Sequence, residues 1–182
     1  MRVISGNWKG RRLKAVKGLE TRPTADKVKG AIFNILGNKV LEAKVLDLFA
    51  GTGNLSWEAL SRGAKEAVLV EKSLEPYKTA LENRALLGAE KKALVIKMDA
   101  FKFLSQNQEK FDLIFLDPPY YQGNINKALS IIKNLEILNS DGVIVAESAS
   151  AEEILQEVYP LEIRMTKEYG DTKIWFLQEV EK

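Results

Sequence analysis

Regular alternation of short apolar runs with helical segments constrains this chain more than any other feature of its sequence. Runs rich in Val, Ile and Leu stand at 44–49, 67–71, 93–97, 111–117 and 143–147. Their near-continuous apolar character predicts strands buried on both faces. Helical patterns separate them at 53–62, at 74–87 behind a capping Ser73, at about 99–107 and at 124–135, and a further one is predicted at about 151–158. Such alternation folds as a mostly parallel sheet with helices on both faces. Two β-like runs, 161–167 and 172–180, follow each other without a helix, which predicts a closing hairpin with one antiparallel strand. With 182 residues, no internal repeat and no long linker, the chain fits one domain.

The N-terminal part lies outside this pattern. Residues 2–5 and 11–16 read as two short strands around the turn Gly6-Asn7-Trp8-Lys9-Gly10, and 18–23 as a loop. Thr24 can cap a first helix, with Asp26 in its first turn, an apolar stripe of Val28, Ile32, Ile35 and Leu36, and Gly37 as its stop. Residues 1–30 carry nine Lys and Arg against two acids, Glu20 and Asp26, a balance of +7; the rest carry 18 against 23, a balance of −5. A basic end on a mildly acidic body suits contact with a polyanion through one segment.

In a sheet of this type, ligands bind beyond the C-terminal ends of the strands, where the strand order reverses. The first strand ends in Asp47-Leu48-Phe49-Ala50-Gly51-Thr52-Gly53, followed by a helix. Glycines there permit a tight turn and a close backbone approach to a ligand. Three further acids mark strand ends: Glu71, Asp99 and Asp117. Glu71 lies 18 residues beyond Gly53, about where an acid takes the hydroxyls of a bound ribose. Both a nicotinamide cofactor and S-adenosylmethionine satisfy that spacing. Two details favour the second: Ser56 replaces the third glycine of the dinucleotide pattern, and Asp47 would repel a pyrophosphate but suits a methionine ammonium. Asp99 also reads as a helix N-cap.

Asp117-Pro118-Pro119-Tyr120 is the most specific string in the chain. Two prolines stiffen the backbone and remove two N–H donors, leaving carbonyl acceptors unpaired. A carboxylate and rigid carbonyls can accept both N–H bonds of a planar amine and turn its lone pair toward an electrophile. Tyr120 offers a face on which the ring can stack.

Asp47-Leu48-Phe49-Ala50-Gly51-Thr52-Gly53 followed by Asp117-Pro118-Pro119-Tyr120 resembles the class I amino-methyltransferases. Along nearly its whole length the chain resembles the RsmD family of 16S rRNA guanine-N2 methyltransferases. The segments that carry this are Arg2 to Leu13, Thr21-Arg22-Pro23-Thr24, Ala31 to Leu36, Glu58 to Ala64 and Tyr169-Gly170-Asp171-Thr172. Asn54, Trp57 and Lys29-Gly30 depart from the family pattern.

The resemblance implies an α/β Rossmann-like methyltransferase domain over 23–182. It would hold a seven-stranded, mostly parallel sheet with a C-terminal antiparallel hairpin, behind a basic N-terminal β-hairpin arm over 1–22. S-adenosylmethionine is the implied cofactor. Asp47, Gly51 and Gly53 would lie near its methionine end, Glu71 at the ribose and Asp99 at the adenine amino group, with Ala50, Lys72 and Ala100 also binding the cofactor. Asp117 to Tyr120 would form the catalytic loop, and Arg2, Lys9, Arg11, Arg12, Lys14 and Arg22 the RNA contacts. The implied partner is 16S rRNA, within the small ribosomal subunit or an assembly intermediate.

Two absences bound the chemistry. With no Cys and no His, thiolate and imidazole nucleophiles and their metal sites are excluded. Methyl transfer to an amine requires neither, nor a metal. No stretch approaches the roughly 20 apolar residues of a membrane span, and the N-terminus has no signal-peptide core, so a cytoplasmic protein is expected. Three other readings fit parts of the pattern: a DNA amino-methyltransferase, a protein glutamine methyltransferase, and a non-enzymatic RNA-binding assembly module. The first would need a larger target-recognition region, the second favours Asn where Asp117 stands, and the third leaves the strand-end acids without a purpose.

Overall fold

The computed structural model describes residues 1–16, 24–154 and 159–180. It contains β1 (Lys44–Asp47), β2 (Glu66–Glu71), β3 (Ala93–Lys97), β4 (Phe111–Leu116), β5 (Leu138–Ala149), β6 (Leu161–Tyr169) and β7 (Thr172–Glu179). The helices are α1 (Thr24–Leu36), α2 (Asn54–Ser61), α3 (Leu74–Leu87), α4 (Ala100–Gln106) and α5 (Asn124–Asn134). All seven strands form one sheet in the order β3-β2-β1-β4-β5-β7-β6. The first five run parallel, and β7 pairs antiparallel with both β5 and β6. The architecture is the α/β class expected, closed by the hairpin that the missing helix predicted.

Alternation along the strands sorts the core into two layers. Val45, Leu113, Phe115, Val143 and Val145 face α1, α2 and α3, whereas Leu46, Ile114, Leu116, Ile144 and Ala146 face α4 and α5. Strand order reverses between β1 and β4, so their C-terminal ends diverge around a crevice. Asp47 and the Asp117 loop therefore face the same space.

Three local expectations are corrected. The strand predicted at 143–147 extends over Leu138–Ala149. Its first half is polar, but Leu138 pairs with Phe111 and Asn139 Nδ2 donates to Asp112 Oδ1 at 2.7 Å. Of the helix predicted at about 151–158, residues 151–154 are turn and irregular chain, and 155–158 lie outside the described residues. Glu152 turns its carboxylate back onto the backbone N–H groups of Tyr121 (2.7 Å) and Ala149 (3.0 Å). The N-terminal hairpin forms, but its ladder is one bridge, Arg2 to Arg12, flanked by Val3 N to Arg11 O, Gly10 N to Val3 O and Leu13 N to Met1 O. Val3 and Leu13 join the main core. The boundary expected at 22 falls outside the described residues. Among those described, no helix is long and apolar enough to cross a membrane.

Candidate active site

The turn after β1 is built by glycine geometry. Gly51 has φ 55° and Gly53 φ 88°, and Gly53 N donates to Ala50 O at 2.7 Å. A Cβ on Gly53 would lie 2.3 Å from Trp57 Nε1 and 2.7 Å from Leu69 Cδ2, so packing requires the glycine. At Gly51 a Cβ would meet open space, because this residue borders the cavity. Glu71 reaches across from β2: one carboxylate oxygen accepts Gly51 N–H at 2.8 Å, the other Ser73 N–H at 2.6 Å. Asp99 caps α4, accepting from Phe101 N and Lys102 N at 3.0 and 3.2 Å. Phe101 sits edge-on to Phe49, with centroids 6.1 Å apart.

These groups surround a cavity of about 800 Å³, within the range of small-molecule sites. Ala50, Gly51, Glu71 and Lys72 line one side and Asp99 and Ala100 another. Asp117, Pro118, Pro119 and Tyr120 line the mouth opposite. Gly53 lies behind the turn and lines neither this cavity nor its neighbour. Asp47 is buried, accepts a hydrogen bond from Ser56 Oγ at 2.8 Å, and lines an adjoining chamber of about 310 Å³. Phe49, Ala50, Asn54, Asp117 and Tyr120 border both spaces. Asp117 thus stands where the two meet.

The electrostatics of this junction are unusual. Burial pushes the Asp47 carboxyl up to about 7, with the Glu71 charge adding to the effect and the Ser56 hydrogen bond opposing it. Asp117 opens onto the cavity. The protein packed around its carboxyl weakens its solvation, and Glu147 and Asp47 add like charge, so its pKa is raised well above the ordinary value. Tyr120 donates to Glu147 Oε1 at 2.9 Å and lies 3.3 Å from Thr172 Oγ1. Burial raises the Glu147 carboxyl against that hydrogen bond.

The family model described as Conserved hypothetical protein 95 matches residues 1–178. YlbH of Bacillus subtilis strain 168, named as a candidate rRNA methyltransferase, is 41% identical over 177 residues, covering 96% of each chain. Ribosomal RNA small subunit methyltransferase D of Escherichia coli K12 is 34% identical over 148 residues, covering 81% of this chain and 74% of that one. The chain belongs to the RsmD family of methyltransferases. Among solved structures, a candidate methyltransferase, yhhF of Escherichia coli, superposes with a TM-score of 0.88 at 30% identity, covering 100% of this chain and 99% of that one.

Lys29 and Asn54 meet in space. Lys29 Nζ, in α1, donates to Asn54 Oδ1 at 2.7 Å and to Arg2 O at 2.6 Å, and lies 3.5 Å from Glu58 Oε2. Burial lowers the Lys29 pKa, although Glu58 opposes that shift. Glu58, from α2, also accepts the backbone N–H groups of Ile4 and Ser5 at 2.8 and 3.1 Å and Arg62 Nε at 2.7 Å. Asn83 of α3 grips the hairpin's second arm through both backbone groups of Lys14, at 2.7 and 3.0 Å, and also donates to Thr52 O at 3.2 Å. The hairpin is bolted to the domain, and its Met1, Ala15 and Val16 line the cavity.

Its basic side chains Arg2, Lys9, Arg11, Arg12 and Lys14 are all exposed. Three are partly engaged: Arg2 with Asp26 at 3.2 Å, Lys14 with Glu82 at 2.9 Å, and Arg11 with Leu86 O at 2.9 Å. Arg22 lies outside the described residues.

Sequence reasoning missed Glu147, Thr172, Lys29 and Asn54 as site residues. Glu147 was available to the strand-end rule that selected Glu71 and Asp117, since it sits near the end of β5. Nothing in the local sequence marks Lys29, whose burial depends on a distant carboxylate.

Proposed function

We propose that this chain transfers a methyl group from S-adenosylmethionine to the exocyclic N2 amine of a guanine in small-subunit ribosomal RNA. The observation that carries this reading is the position of Asp117 and Tyr120, the two ends of Asp117-Pro118-Pro119-Tyr120, at the junction of the two cavities. One space is lined as a nucleoside cofactor requires; the other opens directly beside it. The Escherichia coli relative, by its name, acts on small-subunit ribosomal RNA.

The residues present fit the cofactor. Gly51 leaves room for close approach, Glu71 and Asp99 set acceptors on two sides of the larger cavity, and Ala100 and Phe101 add apolar walls. In this reading Glu71 and Lys72 hold the ribose, Asp99 and Ala100 the adenine, and Asp47 with the turn Ala50 to Gly53 shapes the methionine end. S-adenosylmethionine, when bound, supplies a methyl group already activated as a sulfonium.

The protein's task is then alignment and charge stabilisation. A guanine amine is a weak nucleophile because its lone pair is delocalised into the ring. Asp117 and the Pro118 carbonyl accept its two N–H bonds, localising that lone pair, while Tyr120 stacks on the ring. As the amine becomes positive, one of its protons passes to the Asp117 carboxylate, whose raised pKa makes it a competent acceptor. The hairpin, carrying Arg2, Lys9, Arg11, Arg12 and Lys14 beside the cavity mouth, holds phosphates of the RNA.

The test is methyl transfer from labelled S-adenosylmethionine to purified small-subunit particles and to naked rRNA, followed by nucleoside mapping. N2-methylguanosine at a defined position is expected. Label on adenosine, on protein, or on nothing would overturn the assignment.

A further inference from the structure

The smaller chamber has a chemical bias that bears on which base it accepts. Asp47 and Phe115 are partners in the β1–β4 register, so Asp117, two residues further along, falls on the same face. Leu116 pairs with Ala146 across β4 and β5, so Asp117 and Glu147 occupy the next register position side by side. Three carboxylates from adjacent strands therefore point into one space, and all three line it. The lysine there, Lys29, gives its donors to Arg2 O, Asn54 Oδ1 and the Glu58 carboxylate. Glu147 Oε1 accepts from the Tyr120 hydroxyl at 2.9 Å, whereas Oε2 accepts no hydrogen bond from a described residue. The chamber is rich in acceptors and poor in free donors.

Resting on the methyltransferase reading above, we infer that Glu147 is a specificity-determining residue that accepts the N1–H of guanine while Asp117 accepts from the adjacent N2 amine. Guanine presents donors at both N1 and N2. Adenine and cytosine place a ring-nitrogen lone pair next to their amines, and that lone pair would face a carboxylate oxygen. Such a contact repels and leaves a desolvated acceptor unpaired, which rejects the wrong base. The same side chain fixes the stacking ring, because the Tyr120 hydroxyl is held between Glu147 and Thr172. Recognition of the base edge and placement of its ring thus share one carboxylate.

The experiment compares RNA carrying guanine or 2-aminopurine at the mapped target position. The analogue keeps the amine but has an acceptor at N1. Wild-type protein should favour guanine in kcat/KM by about 10- to 100-fold, the scale of one paired base contact. Glu147→Gln, nearly isosteric, can donate to the analogue's N1, so the preference should collapse toward unity while S-adenosylmethionine affinity stays unchanged. Thr172→Val keeps the carboxylate and removes the other Tyr120 partner; it should slow both substrates equally. An undiminished guanine preference in Glu147→Gln would overturn the inference and leave Glu147 as a support for Tyr120. Wild-type protein that labels no guanine N2 would instead sink the functional assignment beneath it.

Discussion

Lys29 and Glu58 form an ion pair at 3.5 Å with side chains only 1% and 0% exposed, and around it the N-terminal hairpin is fastened to the domain. The carboxylate serves four groups: the Lys29 ammonium, the Arg62 guanidinium and the N–H groups of Ile4 and Ser5. Removing it leaves the buried Lys29 without its counter-ion and two part-buried N–H groups unpaired. Glu58→Ala should therefore cost about 3–5 kcal/mol in urea denaturation. Lys29→Met alone should cost less, because Glu58 keeps its other partners. Equal stability of Glu58→Ala and wild type would show that water replaces the network.

The hairpin's charges can be tested without removing it. Truncation would delete Val3 and Leu13 from the core and Met1, Ala15 and Val16 from the cavity wall, confusing folding with binding. Lys9→Ala and Arg12→Ala change exposed side chains only. Each should weaken RNA binding and flatten its dependence on log salt by about 0.7–0.9 for every phosphate no longer neutralised. Cofactor affinity should not move. Unaltered salt slopes in both variants would assign these charges to a solvated surface.

Glu71 carries two duties in the proposed site. Besides facing the cofactor cavity it accepts hydrogen bonds from Gly51 N and Ser73 N, which hold the glycine turn against the start of α3. Glu71→Ala should weaken S-adenosylmethionine binding by about 1–3 kcal/mol, the cost of unpairing polar groups. Glu71→Gln keeps one acceptor and should lose less. Calorimetry showing the same affinity in all three proteins would remove this residue from the cofactor site.

Much of the architecture was legible because strands buried on both faces must be apolar throughout. The runs around Val45 and Ile114 therefore mark their own positions, whereas the run around Val95 forms the edge strand β3, where Leu94 is 55% exposed and burial on both faces does not hold. The first half of β5 hid because Asn139, Ser140 and Asp141 break that signal, and its pairing depends on contacts made from β4. The helix expected at 151–158 failed over its described part because Glu152 caps backbone groups in the Asp117 loop and β5, partners invisible to local periodicity. The same limit applies at the site. Asp117 and Glu71 announce themselves at strand ends, and Tyr120 reads from the sequence as a ring for stacking. Its hydroxyl's attachment to Glu147 and Thr172 needs β5 and β7 to be side by side.

Asp47 should impose a pH dependence on stability. Its carboxyl titrates near 3.8 when unperturbed and near 7 in the fold. Between those values the folded state keeps a proton that the unfolded chain has released. Stability therefore falls as pH rises through this window and stays reduced above it, by up to about 4 kcal/mol for a pKa raised by roughly three. Asp47→Asn retains an oxygen for the Ser56 hydroxyl and removes the ionisation. The variant should melt higher than wild type at pH 8 and match it near pH 4, without cofactor. A difference in melting temperature that is independent of pH would contradict the raised pKa.

Asp117 separates chemistry from binding. Its carboxyl is proposed to face the amine more than the cofactor, so Asp117→Ala should bind S-adenosylmethionine nearly as well as wild type. Single-turnover methylation at saturating cofactor should fall by about 10²–10³, the scale for removing one preorganised charge-stabilising group. The wild-type rate should also carry a signature of the residue. The surrounding protein and the neighbouring Glu147 and Asp47 carboxylates raise the Asp117 pKa, and only the ionised form can take up the amine's proton. Because it is uptake of the amine's proton, not hydrogen-bond acceptance, that requires the ionised carboxylate, the rate should climb with pH beyond the range in which ordinary carboxylates have finished titrating. Asp117→Asn, which cannot ionise, should be slow and should lack that limb. Should Asp117→Asn instead show the wild-type rate and the same climb, the proton acceptor would have to be another group, and Glu147, one register position across the sheet, would be the first to examine.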